Sequence, residues 1–308
     1  MKLVYSPKYH VDLGDHVFPT DKYPKIHDRL IAEGIATEAD FVEPPPADPA
    51  DILLVHTPAY VDDMLNLRWT SRTVRSELPL TEEVVQGYFL AGSGSILACR
   101  LALEEGKCVH IGGGFHHAAP DHGEGFCYVN DMAVGIRKMI QEKRITRAAV
   151  IDCDLHQGNG TALIFQKDKD VYTFSIHQEA LYPIKEQSSW DIGLDDGVGD
   201  REYLSMLGDA VPQILDQHKP ELVVYQAGAD PYKFDRLGAL RLSLEGLIQR
   251  DKLVYGHARQ RNIPIMACLG GGYPLNGDDV VTIHCNLVKV FLEKLQAQRN
   301  EQAPKTKE

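Results

Sequence analysis

Cysteine is scarce among the 308 residues: six occur, at positions 99, 108, 127, 153, 268 and 285, and no two form a C-x-x-C pair. Most sit in apolar stretches, which argues against a disulfide framework and for packed, reduced thiols in a reducing compartment, the cytoplasm. No apolar run reaches the ~18 residues needed to span a bilayer. Residues 1–7 lack the apolar centre of a signal peptide, so a soluble, unexported chain with no membrane partner is expected. Positive charge is also short. Lys and Arg number 32 against 44 Asp and Glu, a net charge of −12, which disfavours direct nucleic-acid binding but leaves a basic peptide acceptable as a partner. No fixed-period repeat appears, so the chain is not a solenoid. The one proline cluster, Pro44-Pro45-Pro46 with Pro49 nearby, is too short to separate domains and reads as a surface loop.

What is present is ordinary in amount and regular in arrangement. Hydrophobic residues make up 44% and charged residues 25%, as in folded globular chains, which excludes a disordered or fibrous one. Short β-branched or apolar runs alternate with longer stretches of helical periodicity. The pattern predicts strands over 107–111, 148–152, 171–176, 222–225 and 264–269. It predicts helices over 58–67, 82–105, 131–141, 201–217, 244–261 and 279–297. Such alternation implies an α/β fold, a mainly parallel sheet covered on both faces by helices. The expected organisation is one domain over 1–297 and a polar tail over 298–308 that frays.

The polar residues of chemical interest follow the ends of the strands, where open α/β sheets place ligands. Gly112-Gly113-Gly114-Phe115-His116-His117 offers three permissive glycines and two adjacent imidazoles, either an acid/base pair or a solvated loop. Asp152-Cys153-Asp154-Leu155-His156 places Asp152, Asp154 and His156 at alternate positions, sharing one face if strand geometry continues. Carboxylate and imidazole suit a divalent metal such as Zn²⁺, and a catalytic zinc takes about three protein ligands. A further ligand could come from Asp230 in Gln226-Ala227-Gly228-Ala229-Asp230, equally readable as a capping aspartate. Gly270-Gly271-Gly272-Tyr273 could present a hydroxyl to a pocket or form a tight turn with a packed aromatic. Ser175-Ile176-His177 reads as a half-buried strand end.

As a set, these strand ends supply the parts of a metal-dependent hydrolase. GGGFHHA, DxDLHxGNG, GAD and GGGY, in this order and spacing, resemble the histone deacetylase superfamily of zinc-dependent acyl-lysine deacylases. The resemblance covers roughly residues 4–290 and implies the three-layer α/β/α arginase–deacetylase fold. It makes Asp154, His156 and Asp230 the metal ligands, His116 and His117 the tandem histidines, and Tyr273 the hydroxyl that polarises the carbonyl. It implies that Asp152 hydrogen-bonds the first histidine. It also implies a structural K⁺ bound around Asp152, Asp154, His156, Ser175 and Ile176. Gly125, Phe126 and Tyr182 match positions lining a narrow acyl-lysine channel. Asn159 stands behind the second histidine, where some members carry aspartate and others share the asparagine. His16-Val17-Phe18-Pro19, Lys22-Tyr23 and Glu77-Leu78-Pro79 look like the compact bacterial and class IV branch.

The implied activity is removal of acyl groups, acetyl or longer, from the ε-amine of lysine in a peptide or protein by metal-activated water. His117 would serve as general base and then acid, with His116 supporting charge and leaving-group protonation. Zn²⁺ is the implied metal, and Fe²⁺, Mn²⁺ or Co²⁺ suit the same donors. Hydrolysis of an acetylpolyamine or another small amide is the alternative enzyme. An inactive acyl-lysine binding module would lack a ligand or the tyrosine, and all are present. An arginase-like two-manganese site would need additional clustered ligands.

Overall fold

Ala148–Asp152 and Leu222–Gln226 are buried at every position. Strands with no polar alternation need cover on both faces, which a parallel sheet between helical layers provides. The computed structural model describes residues 1–294 and arranges these strands in one eight-stranded sheet. In chain order the strands are β1 (Leu3–Val4), β2 (Phe41–Val42), β3 (Lys107–His110), β4 (Ala148–Asp152), β5 (Val171–Gln178), β6 (Trp190–Leu194), β7 (Leu222–Gln226) and β8 (Ile265–Cys268). Their order across the sheet is β2-β1-β3-β8-β7-β4-β5-β6, and every pairing is parallel.

The helices are α1 (Lys22–Ala32), α2 (Pro49–Ile52), α3 (Pro58–Leu65), α4 (Glu82–Glu105), α5 (Asp131–Gln141), α6 (Asn159–Phe165), α7 (Asp200–His218), α8 (Leu244–Gln260) and α9 (Gly277–Phe291). Helices α2, α3 and α5 pack on α4, which lies against the sheet, while α7, α8, α9 and α1 pack in succession as a second group. The result is the three-layer α/β/α arrangement anticipated from the alternation. Local sequence sets the helix ends. Thr81 Oγ1 accepts from Val84 N at 3.3 Å to start α4, and Gly106 ends it at φ 83°, as N-cap and C-cap chemistry require. Asn130 Oδ1 accepts from Ala133 N at 3.1 Å at the start of α5.

Three strands and three helices were not anticipated. β1 and β2 are two residues each, too short to show a period, and β6 is a partly exposed edge with a glycine. α1 carries Pro24 within its first turn, a place where proline is tolerated although it reads as a breaker. α2 and α6 span one or two turns. The helix expected over 279–297 ends already at Phe291, and its expected last residues 295–297 and the tail expected over 298–308 lie outside the described residues. One expectation needs correction. Strand geometry does not continue past Asp152: β4 ends there and the chain bends through Asp154, Leu155 and His156, so Asp152 does not share a face with the other two.

All six cysteines are buried and free, and among the described residues no helix is long and apolar enough to cross a membrane. The core is continuous across the sheet. Ile151, fully buried in β4, lies next to the site-forming bend. Ile151→Ala should destabilise the fold by about 2–5 kcal/mol. Denaturant unfolding with an unchanged m-value is the measurement.

Candidate active site

β3, β8, β7 and β4 are adjacent in the middle of the sheet, so the turns leaving their C-terminal ends meet above one rim. From β4 come Asp154 and His156, and from β7 comes Asp230. All three are buried, and their potential ligand atoms lie within 4.8 Å of one another. His156 Nδ1 faces Asp230 Oδ2 at 3.2 Å and Asp154 Oδ1 at 3.4 Å. Burial and the neighbouring Asp154 carboxylate push the Asp230 carboxyl up. The backbone is cut to fit these carboxylates: a Cβ at Gly228 would lie 2.2 Å from Asp154 Oδ2. Two desolvated carboxylates and an imidazole in so small a space carry negative charge that a divalent cation would neutralise, and the donor types are those such ions take. The cluster is a candidate metal site.

From β3 come the paired imidazoles. The turn is held by Asp131, whose carboxylate accepts from Gly114 N at 3.0 Å and Phe115 N at 2.8 Å. Gly114 sits at φ 87°, and a Cβ there would approach Gly270 N to 2.5 Å, so only glycine allows the β3 and β8 turns to touch. His116 Nδ1 donates to Asp152 Oδ2 at 2.8 Å, and His117 Nδ1 donates to Asn159 Oδ1 at 2.7 Å. The two Nε2 atoms face each other at 3.1 Å. Burial alone would push His116 down, but the Asp152 and Asp154 carboxylates outweigh it and hold the ring at about 9. Burial and the neighbouring rings of His116 and His156 hold His117 well below the usual imidazole range.

Above the cluster lies a narrow cavity walled by Phe18, Phe126, His117, His156 and Tyr273. Phe126 is held at φ 62°, a strained conformation for a bulky residue. Its N–H donates to Ser76 O at 3.0 Å and its carbonyl accepts from Tyr88 Oη at 2.7 Å. Tyr273 is buried, its ring 6.0 Å from that of Phe126, and its N–H donates to Asp235 Oδ2 at 2.6 Å. Tyr182 stands at the mouth, 44% exposed, 5.5 Å from the His117 ring. Gly125 lies beneath it, where a Cβ would meet both His117 and the Tyr182 hydroxyl. Ser175 and Ile176 lie on β5, with Ser175 in register opposite Asp152. Ser175 Oγ meets His177 Nδ1 at 2.9 Å.

A sequence profile of the histone deacetylase domain matches residues 16–288. The chain belongs to the histone deacetylase family. It is similar to an uncharacterised protein of the cyanobacterium Picosynechococcus, 39% identical over 92% of this chain and 95% of that protein. It is also similar to histone deacetylase 2 of Arabidopsis thaliana, 31% identical over 89% of this chain and 74% of that protein. A probable deacetylase of Methanothermobacter thermautotrophicus is 31% identical over 89% of this chain and 86% of its own length. Membership makes the chain a hydrolase of the deacetylase kind, with the arginase–deacetylase fold.

Several residues of this deacetylase that shape the site were not singled out for it from sequence. Phe18 and Lys22 served only as marks of resemblance, yet Phe18 walls the cavity and Lys22 lies wholly inside. Its Nζ donates to Gly270 O at 2.6 Å, and burial lowers it to about 8. Arg250, fully buried on α8, donates to Gly228 O at 2.6 Å and Cys153 O at 3.2 Å. A lysine or arginine in an amphipathic helix reads as surface, so no signal marked either one. Asp235, five residues past Asp230, orients the Tyr273 backbone through a turn with no motif of its own.

If the three-residue cluster holds the metal, Asp154→Ala should leave an incomplete shell. After dialysis against Zn²⁺ and removal of excess, elemental analysis should find far less than one equivalent in the variant and one in the wild type. A full equivalent in folded Asp154→Ala protein would exclude Asp154 as a ligand.

Proposed function

We propose that this chain is a metal-dependent deacylase that removes acetyl or longer acyl groups from the ε-amine of lysine in peptides or proteins. It would act as one catalytic domain over 1–297 and work in the cytoplasm, to which its six reduced, buried thiols are suited. The observation that carries this reading is a narrow, aromatic-walled cavity ending on the Asp154, His156 and Asp230 cluster beside two inequivalent imidazoles. A thin apolar channel accepts the methylenes of a lysine stem and an uncharged amide.

Asp154, His156 and Asp230 would hold the metal, with Zn²⁺ the first choice and Fe²⁺, Mn²⁺ or Co²⁺ suited to the same donors. Bound there, the ion would supply Lewis acidity toward the amide carbonyl and toward water. His117, held neutral and with its Nδ1 proton engaged by Asn159, presents Nε2 to accept the proton of the attacking water. His116, kept charged by Asp152, supports the charge that develops and protonates the departing amine as the C–N bond breaks. The Tyr273 hydroxyl donates to the oxygen on which negative charge grows. Phe18, Phe126, Gly125 and Tyr182 confine the stem. A K⁺ ion around Asp152, Asp154, His156, Ser175 and Ile176 would brace the β4 and β5 ends as part of the same reading.

One observation favours a second substrate class. The groove beside His16 carries Asp15 and Glu77, and acidic groups near the mouth would attract the free amines of an acetylpolyamine. Turnover of a panel of acylated lysine peptides and acetylpolyamines by metal-defined protein separates the two. Hydrolysis of neither would reject both, leaving a binding module.

Tyr273→Phe deletes one donor and leaves the cavity walls. It should lower kcat by ~10²–10³-fold, as for loss of other single oxyanion donors, with KM little changed. An unaltered kcat in folded, metal-replete protein would remove Tyr273 from the chemistry.

A further inference from the structure

His117 can act as a base at Nε2 only if its proton resides on Nδ1. Asn159 alone does not ensure this. The two ends of an amide have nearly the same shape, and an Asn159 turned about would present its NH₂ to Nδ1, drive the proton to Nε2 and block the base. His116 Nε2, 3.1 Å from His117 Nε2, favours the same tautomer from one side; the contact that orients the amide lies on its far side. Asn159 Nδ2 donates to Glu124 Oε1 at 3.0 Å. The other carboxylate oxygen, Oε2, is held by the Arg75 guanidinium and by His122 Nε2 at 3.3 Å. The bond with His122, working against burial, together with the Arg75 charge, keeps Glu124 below the usual carboxylate range. An ionised carboxylate accepts and never donates.

Resting on the function proposed above, we propose that Glu124 is a positioning residue: by accepting from Asn159 Nδ2 it turns the amide oxygen toward His117 and so sets the Nδ1–H tautomer with a bare Nε2. The same contact accounts for a neutral residue at position 159. A carboxylate there would face the Glu124 carboxylate across the 3.0 Å now spanned by a hydrogen bond, and like charges that close disfavour each other. Glu124 and Asn159 are thus a matched acceptor and donor, and their partnership can be inverted.

The test uses the full chain loaded with Zn²⁺, read by histidine-ring ¹⁵N NMR and by steady-state kinetics on an acetyl-lysine peptide. Wild-type His117 should show a protonated Nδ1 and a bare Nε2. Glu124→Ala should give averaged tautomers and lower kcat by roughly 10-fold with KM nearly constant, a size typical of contacting groups. In Glu124→Gln the Arg75 guanidinium claims the single side-chain oxygen and an NH₂ faces Asn159 Nδ2, so the wild-type ring pattern should be lost there too. Asn159→Asp should lose at least as much as Glu124→Ala. Adding Glu124→Gln to it supplies an N–H to the new carboxylate and should recover roughly 10-fold. This reciprocal pair carries the decision if Glu124→Ala proves unstable. A wild-type tautomer in Glu124→Ala, a loss confined to KM, or losses that merely multiply in the double variant would overturn the assignment. If the wild type hydrolysed no acyl amide, the proposed function would fall, while the ring spectra would still decide the role of Glu124.

Discussion

Two carboxylates, Asp154 and Asp230, are buried almost completely within ligand distance of one another, and much of the surrounding structure is arranged to make that tolerable. Desolvating one ionised carboxylate is costly, and desolvating two together is more so unless hydrogen bonds and positive charge meet them. Backbone N–H groups answer part of the demand. Gly271 N donates to Asp154 Oδ2 at 3.0 Å, and Leu155 N donates to Asp230 Oδ1 at 2.9 Å. The glycines of the β7 and β8 turns follow from the same need, since a side chain there would collide with the carboxylates it is meant to leave room for. What these donors leave uncompensated is the charge that a cation of valence two would meet.

The turns that carry Asp154, His156 and Asp230 also need a rigid base, and Arg250 provides it. Loops that bend sharply inside a protein leave carbonyls without partners. The Arg250 guanidinium reaches the carbonyls of Cys153, Ala227 and Gly228, one residue from Asp154 on one side and two from Asp230 on the other. Asp251 Oδ1 accepts from Arg250 Nε at 3.0 Å and from Tyr225 Oη at 2.6 Å, so the buried charge is paired and the carboxylate is itself supported. A lysine could not serve, because a point charge on a flexible stem cannot span three carbonyls and a carboxylate in one plane. Helix α8 is in this way connected to the site although none of its residues lines the cavity.

That connection also shows where a reading of the chain succeeds and where it stops. Buried parallel strands announce themselves as apolar runs, and their C-terminal turns announce themselves through glycine and clustered polar residues; hence Asp154, His156, Asp230, His116, His117 and Tyr273 were legible as candidates. Edge strands of two residues have no period to read. Lys22, Arg250 and Glu124 are charged residues in stretches that look like solvated helix or loop, and only the tertiary structure shows two of them to be buried and the third to be bonded to Asn159. The face proposed for Asp152 failed for a related reason. Periodicity says nothing about where a strand bends, and the bend after Asp152 separates a residue that serves His116 from two that form the cluster.

The same separation gives the two adjacent histidines different chemistry. Identical rings one residue apart would ordinarily titrate alike, and environment must divide them if one is to hold a proton while the other takes one. Asp152 puts a buried carboxylate on His116 and, with the Asp154 charge nearby, holds it at about 9, against the effect of burial. Asn159 offers His117 the same hydrogen-bond geometry without the charge, and burial prevails there. Groups whose environments push their affinities for protons apart are suited to separate acid and base duties. A carboxylate in place of Asn159 would favour the charged form of both rings, placing two cations whose Nε2 atoms are 3.1 Å apart beside a candidate site for a third. In this chain the neutral amide divides the pair as much as the carboxylate does.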